Sequence, residues 1–251
     1  MPIDLNADLG EGFGRWALGA DEALLDLISS ANVACGFHAG DPSILRKVCE
    51  GAAARGVRVG AQVSYRDLAG FGRRAMDVPS DELRDEVLYQ LGALDGFCRV
   101  AGIAVAYVKP HGALYNRCFV DEVQAAAVVE AIVDYGGGLT VLGQPGSALL
   151  RMAAEAGLPT AFEAFADRAY ESSGALVPRS VEGSVIHDRD RVADRVVGLA
   201  TTGEIEAVDG TMLAVDPRSV CLHSDTPGAV ELAIEIRRRL AEADVAVEPF
   251  L

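Results

Sequence analysis

The chain has 251 residues, 50% of them hydrophobic, and can therefore build a sizeable core in one large α/β domain. Its 22 basic and 37 acidic residues give a net charge of -15, which argues against nucleic acid or an anionic membrane surface as a partner. Five cysteines without a CxxC pair, no export signal and no apolar window of about 18 residues predict a cytoplasmic protein with reduced thiols and no membrane span.

The first predicted strand, residues 2–9, alternates apolar and polar side chains. Asn6 and Asp8 lie on its polar face. Helices alternate with strands in the remainder of the chain, which predicts a parallel sheet covered on both sides, so polar side chains inside it need a function. The loop 10–14 adds Glu11 and is not GxGxxG, and the chain contains no GxxxxGK[ST], so both nucleotide fingerprints are absent. A short helix is predicted over residues 21–30.

The second predicted strand, residues 31–38, ends in His38. A helix follows at once, with Asp41 as its N-cap and Pro42 in its first turn. A histidine between a strand end and a helix start suggests a functional role, although a satisfied core histidine is the alternative. The third predicted strand, residues 57–63, brings Gln62 to the corresponding position.

The connection 64–74 is long for a loop between a strand and a helix, which is typical of functional loops. Its paired arginines, Arg73 and Arg74, could clamp an anion, because guanidinium offers a planar fork of donors to phosphate or carboxylate. Simple solvation at the surface is the alternative. A long helix is predicted from residue 80 to about 101.

The fourth predicted strand carries two ionisable residues at its carboxyl end. Lys109 and His111 are followed by chain-breaking residues, since Pro110 lacks an amide proton and Gly112 favours a turn. Apart from Lys47, every other basic residue of the chain is arginine, which suggests that Lys109 is present for its compact charge. A solvated pair at an exposed strand end is the alternative.

The rest of the chain continues the alternation of helices and strands. Glu163 lies near the end of the sixth predicted strand, and the segment 166–179, which has no helical or strand period, predicts a lid with Arg168 and Arg179 as ligand contacts. The remaining predicted elements are helices over 120–135, 147–156, 188–201 and 228–241, strands over 139–142, 159–165, 219–223 and 244–247, and a hairpin over 204–215.

Eight β-like segments and about seven helices predict a distorted TIM-like (β/α) barrel of seven or eight mainly parallel strands. We expect one domain over residues 1–251, with the hairpin as an insertion, and a doubly wound open sheet is the alternative. Both folds gather ligand sites at the carboxyl ends of their strands. The residues predicted there are Asp8, His38, Gln62, Lys109, His111, Glu163 and His223.

Seven stretches between residue 4 and about residue 230 carry a family signal. They read DLNADLGEGFG, ANVACGFHAGDP, GAQVSYRDLAGFGRR, VKPHGALYN, EAFADRAY, LVPR and CLHSDTP. Together and in this order they resemble the LamB/YcsF family, the A subunits of prokaryotic 5-oxoprolinase. The resemblance implies a distorted TIM-like barrel and ATP-dependent opening of 5-oxo-L-proline to L-glutamate, in complex with subunits B and C.

Two positions depart from the family pattern. Gln62 stands in GAQV where family members often read GAHP, and Ser224 follows His223 where many read CxHGD. The first departure removes a potential metal ligand, which argues against a metal triad built on that position.

The resemblance also suggests roles for the candidate residues. Lys109, with Arg73, Arg74 or Arg168, would neutralise phosphate, and Asp8 with Glu11 would hold Mg²⁺, which prefers hard oxygen ligands. His38, His111 or His223 would move protons. The predicted catalytic residues are Asp8, His38, Lys109 and His111. The predicted substrate-binding and nucleotide-binding residues are Asn6, Glu11, Gln62, Arg73, Arg74, Glu163, Arg168 and His223.

Two other functions fit the same residues. One is a metal-dependent amide hydrolase or deacetylase, with Asp8, His38 and either His111 or His223 around a transition metal. The other is a binding subunit that captures the lactam and hands it to partner subunits without chemistry.

Overall fold

Seven parallel strands close into a barrel in the computed structural model, which describes residues 2–222 and 228–251. Within those ranges the strands are β1 (Asp4–Leu9), β2 (Ser30–Ala34), β3 (Arg58–Val63), β4 (Val105–Pro110), β5 (Thr140–Gly143), β6 (Thr160–Phe165), β7 (Glu204–Glu206), β8 (Met212–Ala214) and β9 (Ser219–Leu222). The barrel runs through β1 to β6 in order, and β9 closes it by pairing with both β6 and β1. This closure confirms the predicted TIM-like barrel, and an open sheet is excluded.

Helices surround the barrel. In the described part of the chain they are α1 (Asp21–Leu25), α2 (Pro42–Arg55), α3 (Ser80–Val100), α4 (Gly112–Val120), α5 (Glu122–Tyr135), α6 (Ala148–Glu155), α7 (Arg189–Thr202) and α8 (Ala229–Glu242). The start of α2 follows the sequence signal, because the Asp41 carboxylate accepts hydrogen bonds from the amides of Ser43 and Ile44. Leu83, Leu91 and Leu94 show how an apolar helix face is buried against the strands, since all three are fully buried on α3.

The predicted boundary between the first helix and the second strand is wrong. The helix ends at Leu25, because Ser29 and Ser30 instead donate hydrogen bonds to the Asp4 carboxylate, and β2 begins at Ser30. The strand ends at Ala34, because the chain turns at Gly36 with a positive φ of 94°, and His38 lies in the loop that follows rather than at the strand's last position.

A helix directly after β4 was missing from the sequence prediction. His111 is the N-cap residue of α4, and Gly112 follows it with a positive φ of 58°. Asp121 then separates α4 from α5, since its carboxylate accepts from the amides of Val123 and Gln124. The predicted helix 120–135 is therefore the second of two helices.

The terminal segment forms less structure than predicted. Instead of a strand over 244–247 there is one parallel bridge, between Ile3 and Val247. The reason is that β1 already pairs with β2 on one edge and β9 on the other. The hairpin forms a separate two-stranded antiparallel sheet from β7 and β8.

The five cysteines carry free thiols and are all buried. Across the described ranges, the helices fall short of the length and apolar character that a membrane crossing requires.

Candidate functional site

The interior of the barrel is polar, and its deepest layer is built around Asp4. The Asp4 carboxylate accepts hydrogen bonds from the hydroxyl groups of Ser29 at 2.7 Å and Ser30 at 2.6 Å, and also from Ser219. Burial raises the pKa of Asp4 to about 6, although the three hydroxyl donors oppose that rise. Burial therefore disfavours the ionised form of Asp4, and the three hydroxyl donors fix the position of its carboxyl group.

A layer of amides lies above Asp4 and links β1, β2 and β4. The Asn32 side-chain amide donates to Asn6 Oδ1 at 2.6 Å and to Asp8 Oδ1 at 2.8 Å, and it accepts from the Tyr107 hydroxyl at 2.7 Å. The alternation of a strand explains why these side chains meet, because each occupies an inward-facing position. Their mutual hydrogen bonds fix the orientation of Asp8.

Lys109 occupies the centre of the upper interior and is only 3% exposed. Its Nζ lies 2.9 Å from Glu163 Oε2, 3.4 Å from Asp8 Oδ1 and 3.0 Å from Cys221 Sγ. Burial by itself lowers the pKa of Lys109, but the negative charges of Asp8 and Glu163 raise it well above its ordinary value. The amine is therefore held as a cation in the core of the barrel.

Glu163 is fully buried beside this cation. Burial raises the pKa of its carboxyl group, against the opposing influence of Lys109 and the Tyr115 hydroxyl. Burial likewise raises the pKa of the Cys221 thiol, which keeps it protonated next to Lys109. The Lys109 cation thus lies between the carboxyl groups of Asp8 and Glu163.

A second cluster, formed by Glu11, His38, Gln62 and His111, lies at the carboxyl end of the barrel. Glu11 Oε1 is 3.8 Å from His38 Nε2 and 3.7 Å from His111 Nε2, and it accepts a hydrogen bond from Gln62 Nε2 at 3.2 Å. The two imidazole rings are stacked, with centroids 4.0 Å apart. Burial lowers the pKa of His38 to about 4, so this ring is neutral near pH 7 and is a poor proton donor.

Gly72 holds the connection between β3 and α3 against the two histidines. A Cβ atom at this position would lie 2.8 Å from His38 Cβ and 3.0 Å from His111 Nδ1, and its φ of +64° suits glycine. The Gly72 carbonyl also accepts from the Ala113 amide at 2.8 Å. The loop therefore covers the rings on the side away from Glu11.

A cavity of about 520 Å³ opens over Asp8, Lys109 and His111. Arg73, Arg168 and Arg179 also line it, together with residues of α4 and of the segment after β6. Arg168 fixes that segment, because its guanidinium donates to the carbonyl oxygens of Val177 at 2.7 Å and Ser184 at 3.2 Å. Burial, reinforced by the neighbouring charge of Arg179, lowers the pKa of Arg168 to about 10.

Comparison with known proteins places this geometry in a family. The model of the LamB/YcsF family matches residues 3–251. The chain belongs to the LamB/YcsF family. It is 64% identical over 248 residues to a protein of Streptomyces coelicolor named as the A subunit of 5-oxoprolinase, with 99% of both chains covered, and 55% identical to the protein of the same name of Mycolicibacterium gilvum, with 99% and 98% covered. The crystal structure of the lactam utilization protein from Thermus thermophilus superposes with a TM-score of 0.94 at 42% identity, covering 99% of each chain.

Most of the predicted site residues of this LamB/YcsF chain meet around the cavity. Asp8, Lys109, His111, Arg73 and Arg168 line it directly. Others lie behind that lining: Asn6 and Glu163 beside Lys109, and Glu11, His38 and Gln62 around His111.

Among the described residues, Arg74 is a predicted site residue that lies away from the cavity. Arg74 bonds through its guanidinium to Asp67 within its own loop, with Nε 2.7 Å from Asp67 Oδ1, and its side chain is 66% exposed. His223 lies outside the described residues. A larger cavity of about 750 Å³ between the segment 12–25 and α2 contains none of the predicted site residues that the structure describes.

The sequence prediction missed three contributors to the site of this LamB/YcsF protein. Asn32 and Cys221 could have been found by alternation, because each sits on a strand two residues away from another inward-facing position. Tyr115 carries no such signal, since it lies on α4, a helix that the sequence pattern did not indicate.

Proposed function

We propose that this chain is the A subunit of a multi-subunit 5-oxoprolinase that opens 5-oxo-L-proline to L-glutamate, with ATP converted to ADP and phosphate and with subunits B and C as partners. The names of relatives 55–64% identical to the chain over 99% of its length support the reaction class and the assembly. The five cysteines carry free thiols, as is usual for proteins of the cytoplasm, the compartment proposed for this chain.

One observation carries the proposal: basic side chains concentrate at one cavity of an acidic chain. Lys109, Arg73, Arg168 and Arg179 all line it, although the net charge of the chain is -15. Asp8 is the one carboxylate among its described lining residues. The carboxylate of 5-oxoproline and the phosphates of ATP are the kinds of group that guanidinium forks bind.

The chemistry explains why phosphate must be held here. A lactam carbonyl is a poor electrophile, and its nitrogen is a poor leaving group. Transfer of the γ-phosphoryl group of ATP to the lactam oxygen releases ADP and leaves an imidate-like carbon that water attacks. The C–N bond then breaks as the nitrogen takes a proton, which leaves an acyl phosphate, and a second water releases phosphate and L-glutamate.

The interior residues have matching roles in this sequence of steps. Lys109, fixed as a cation between Asp8 and Glu163, would stabilise the charge that develops during phosphoryl transfer. Asp8 lines the cavity as a carboxylate and would take the proton of the attacking water and return it to the leaving nitrogen.

Mg²⁺ is proposed only as the companion of the ATP phosphates. The predicted pair of ligands, Asp8 and Glu11, is divided between different partners, since Asp8 bonds to Asn32 and lies near Lys109 while Glu11 sits between two imidazoles. A carboxylate with two imidazoles is not the all-oxygen set that Mg²⁺ prefers. Mg²⁺ would therefore enter the cavity bound to ATP, and the chain would contact the phosphates of the nucleotide.

The test is isotope-traced turnover by the complex reconstituted with subunits B and C. Equal release of ADP and L-glutamate is expected from the unmodified chain, and loss of one preorganised charge in Lys109→Met should lower kcat by about 10²–10³-fold. Lys47→Met is the matched control, because Lys47 is the other lysine of the chain and its side chain is 77% exposed.

Each other outcome overturns the proposal in a specific way. Glutamate release that needs no ATP and disappears with a chelator would indicate a metal-dependent amide hydrolase. Binding of 5-oxoproline together with full activity of Lys109→Met in the complex would indicate a binding subunit.

A further inference from the structure

The cluster of Glu11, His38 and His111 has the composition and spacing of a metal site. Its three donor atoms come from different loops at the carboxyl end of the barrel and all lie within 4.8 Å of one another. Glu11 Oε1 is 3.8 Å and 3.7 Å from the two Nε2 atoms. Ligands about 2.1 Å from a tetrahedral ion are about 3.4 Å apart, so each of these two distances exceeds the value expected around an ion by only a few tenths of an ångström.

His38 supplies an independent sign that a ligand belongs here. The side chain is 0% exposed, and among the described residues neither ring nitrogen has a hydrogen-bond partner. Native proteins rarely leave buried polar atoms without partners, because each such atom has lost its hydration. Its Nε2 points toward Glu11, so an ion between these two groups would satisfy both.

The surroundings hold the donors in this arrangement. The loop at Gly72 packs behind both rings, leaving no space for a Cβ atom next to His38 Cβ and His111 Nδ1. Phe71 contacts each ring edge to face, with centroids 5.8 Å from His38 and 5.5 Å from His111. Gln62 donates to Glu11 and orients the carboxylate, as residues behind metal ligands commonly do.

We infer that Glu11, His38 and His111 bind one divalent transition-metal ion, of the Zn²⁺ class, at the mouth of the barrel. Two imidazoles and one carboxylate suit Zn²⁺, Fe²⁺ or Ni²⁺ better than Mg²⁺ or Ca²⁺. His111 also lines the cavity that contains Lys109, so the inferred metal site adjoins that cavity. This site goes beyond the proposed function and does not depend on it.

The first experiment measures binding of the metal alone to the full chain. Titration with Zn²⁺ after removal of metal by a chelator should give one ion per chain by calorimetry and by elemental analysis after dialysis. His38→Gln and His111→Gln should each weaken binding by at least about 100-fold, because loss of a ligand costs more than the 10–100-fold of an outer-shell change. Gln62→Ala should fall within that smaller range, and His187→Gln, at an exposed position, is the control.

A second measurement protects the inference against variants that do not fold. In the unmodified, ¹⁵N-histidine-labelled chain, Zn²⁺ should shift the Nε2 resonances of His38 and His111 and leave those of His187 unchanged. Unmoved His38 and His111 resonances at saturating Zn²⁺, or equal Zn²⁺ affinity in His38→Gln and the unmodified chain, would overturn the inference. Neither readout involves ATP or the partner subunits, so this site and the proposed reaction can fail separately.

Discussion

Replacing Lys109 by methionine tests the charge arrangement inside the barrel. The substitution keeps most of the side-chain volume and removes the cation 2.9 Å from Glu163 Oε2 and 3.4 Å from Asp8 Oδ1. Two carboxylates then remain in the core without their counter-charge. Removing one partner of a buried ion pair costs about 3–5 kcal/mol in the free energy of unfolding, and we expect a loss of this size at pH 8.

The loss should shrink as the pH falls. Burial already raises the pKa of Glu163, and without Lys109 the pKa rises further. When the pKa of a carboxyl group is higher in the folded state than in the unfolded state, protonation favours the folded state. The free energy of unfolding therefore increases as the pH drops below the folded-state pKa. The destabilisation caused by Lys109→Met should therefore be smaller at pH 6 than at pH 8, because the folded variant binds a proton that the unfolded chain does not.

Urea unfolding followed by circular dichroism at pH 6, 7 and 8 measures this dependence for Lys109→Met and the unmodified chain. Lys47→Met again serves as the control, since its side chain pairs at the surface with Glu22 at 3.7 Å and should change stability by no more than about 0.5 kcal/mol at any pH. A destabilisation by Lys109→Met that is the same at all three pH values would refute the reasoning, because it would mean that the carboxylates do not depend on Lys109.

Two further predictions concern other parts of the interior. Burial raises the pKa of Asp4 from 3.8 to about 6, so its contribution to stability is present below about pH 4 and is lost as the pH rises through 6. Relative to the unmodified chain, Asp4→Asn should therefore gain about 2 kcal/mol between pH 4 and pH 7, measured by urea unfolding. Gly72→Ala should cost about 1–3 kcal/mol through its positive φ and the crowding at His38 and His111, and an unchanged urea midpoint would contradict the packing described for this loop.

The barrel and much of its interior could be predicted from local patterns. Asn6 and Asp8 alternate with apolar residues on a strand that the surrounding helices indicate to be buried, so their inward position followed from the strand period. Lys109 was indicated by a chain-breaking proline directly after it and by the scarcity of lysine elsewhere. These signals are local, and in a strand the position of a residue directly determines which face of the sheet its side chain lies on.

Other features depend on contacts that no local pattern contains. Ser29 and Ser30 are predicted to end a helix, but their hydroxyl groups donate to Asp4, more than 20 residues earlier in the chain, and α1 ends at Leu25. Arg73 and Arg74, adjacent in the sequence, also differ in their surroundings because of contacts that the sequence pattern does not show. The guanidinium of Arg74 donates a hydrogen bond to the Asp67 carboxylate, whereas Arg73 lines the cavity.

The charges around the cavity predict different roles for Lys109 and the arginines, with the arginines attracting the anion and Lys109 acting on the charge that develops during the reaction. Within the interior, the single positive charge of Lys109 is outweighed by Asp8 and Glu163, so the floor of the cavity does not attract an anion by its net charge. The arginines at the wall must supply that attraction, and Arg73 both lines the cavity and is exposed to solvent.

Arg73→Met should therefore raise the KM for ATP or for 5-oxoproline by about tenfold or more with kcat little changed, because it removes binding that is equal in ground and transition states. Lys109→Met should instead lower kcat, since its charge acts where charge develops. Steady-state kinetics of the reconstituted complex separate the two effects. If Arg73→Met lowered kcat as much as Lys109→Met and left KM unchanged, the arginine would act on the reacting group, and the different roles of the two residues would be wrong.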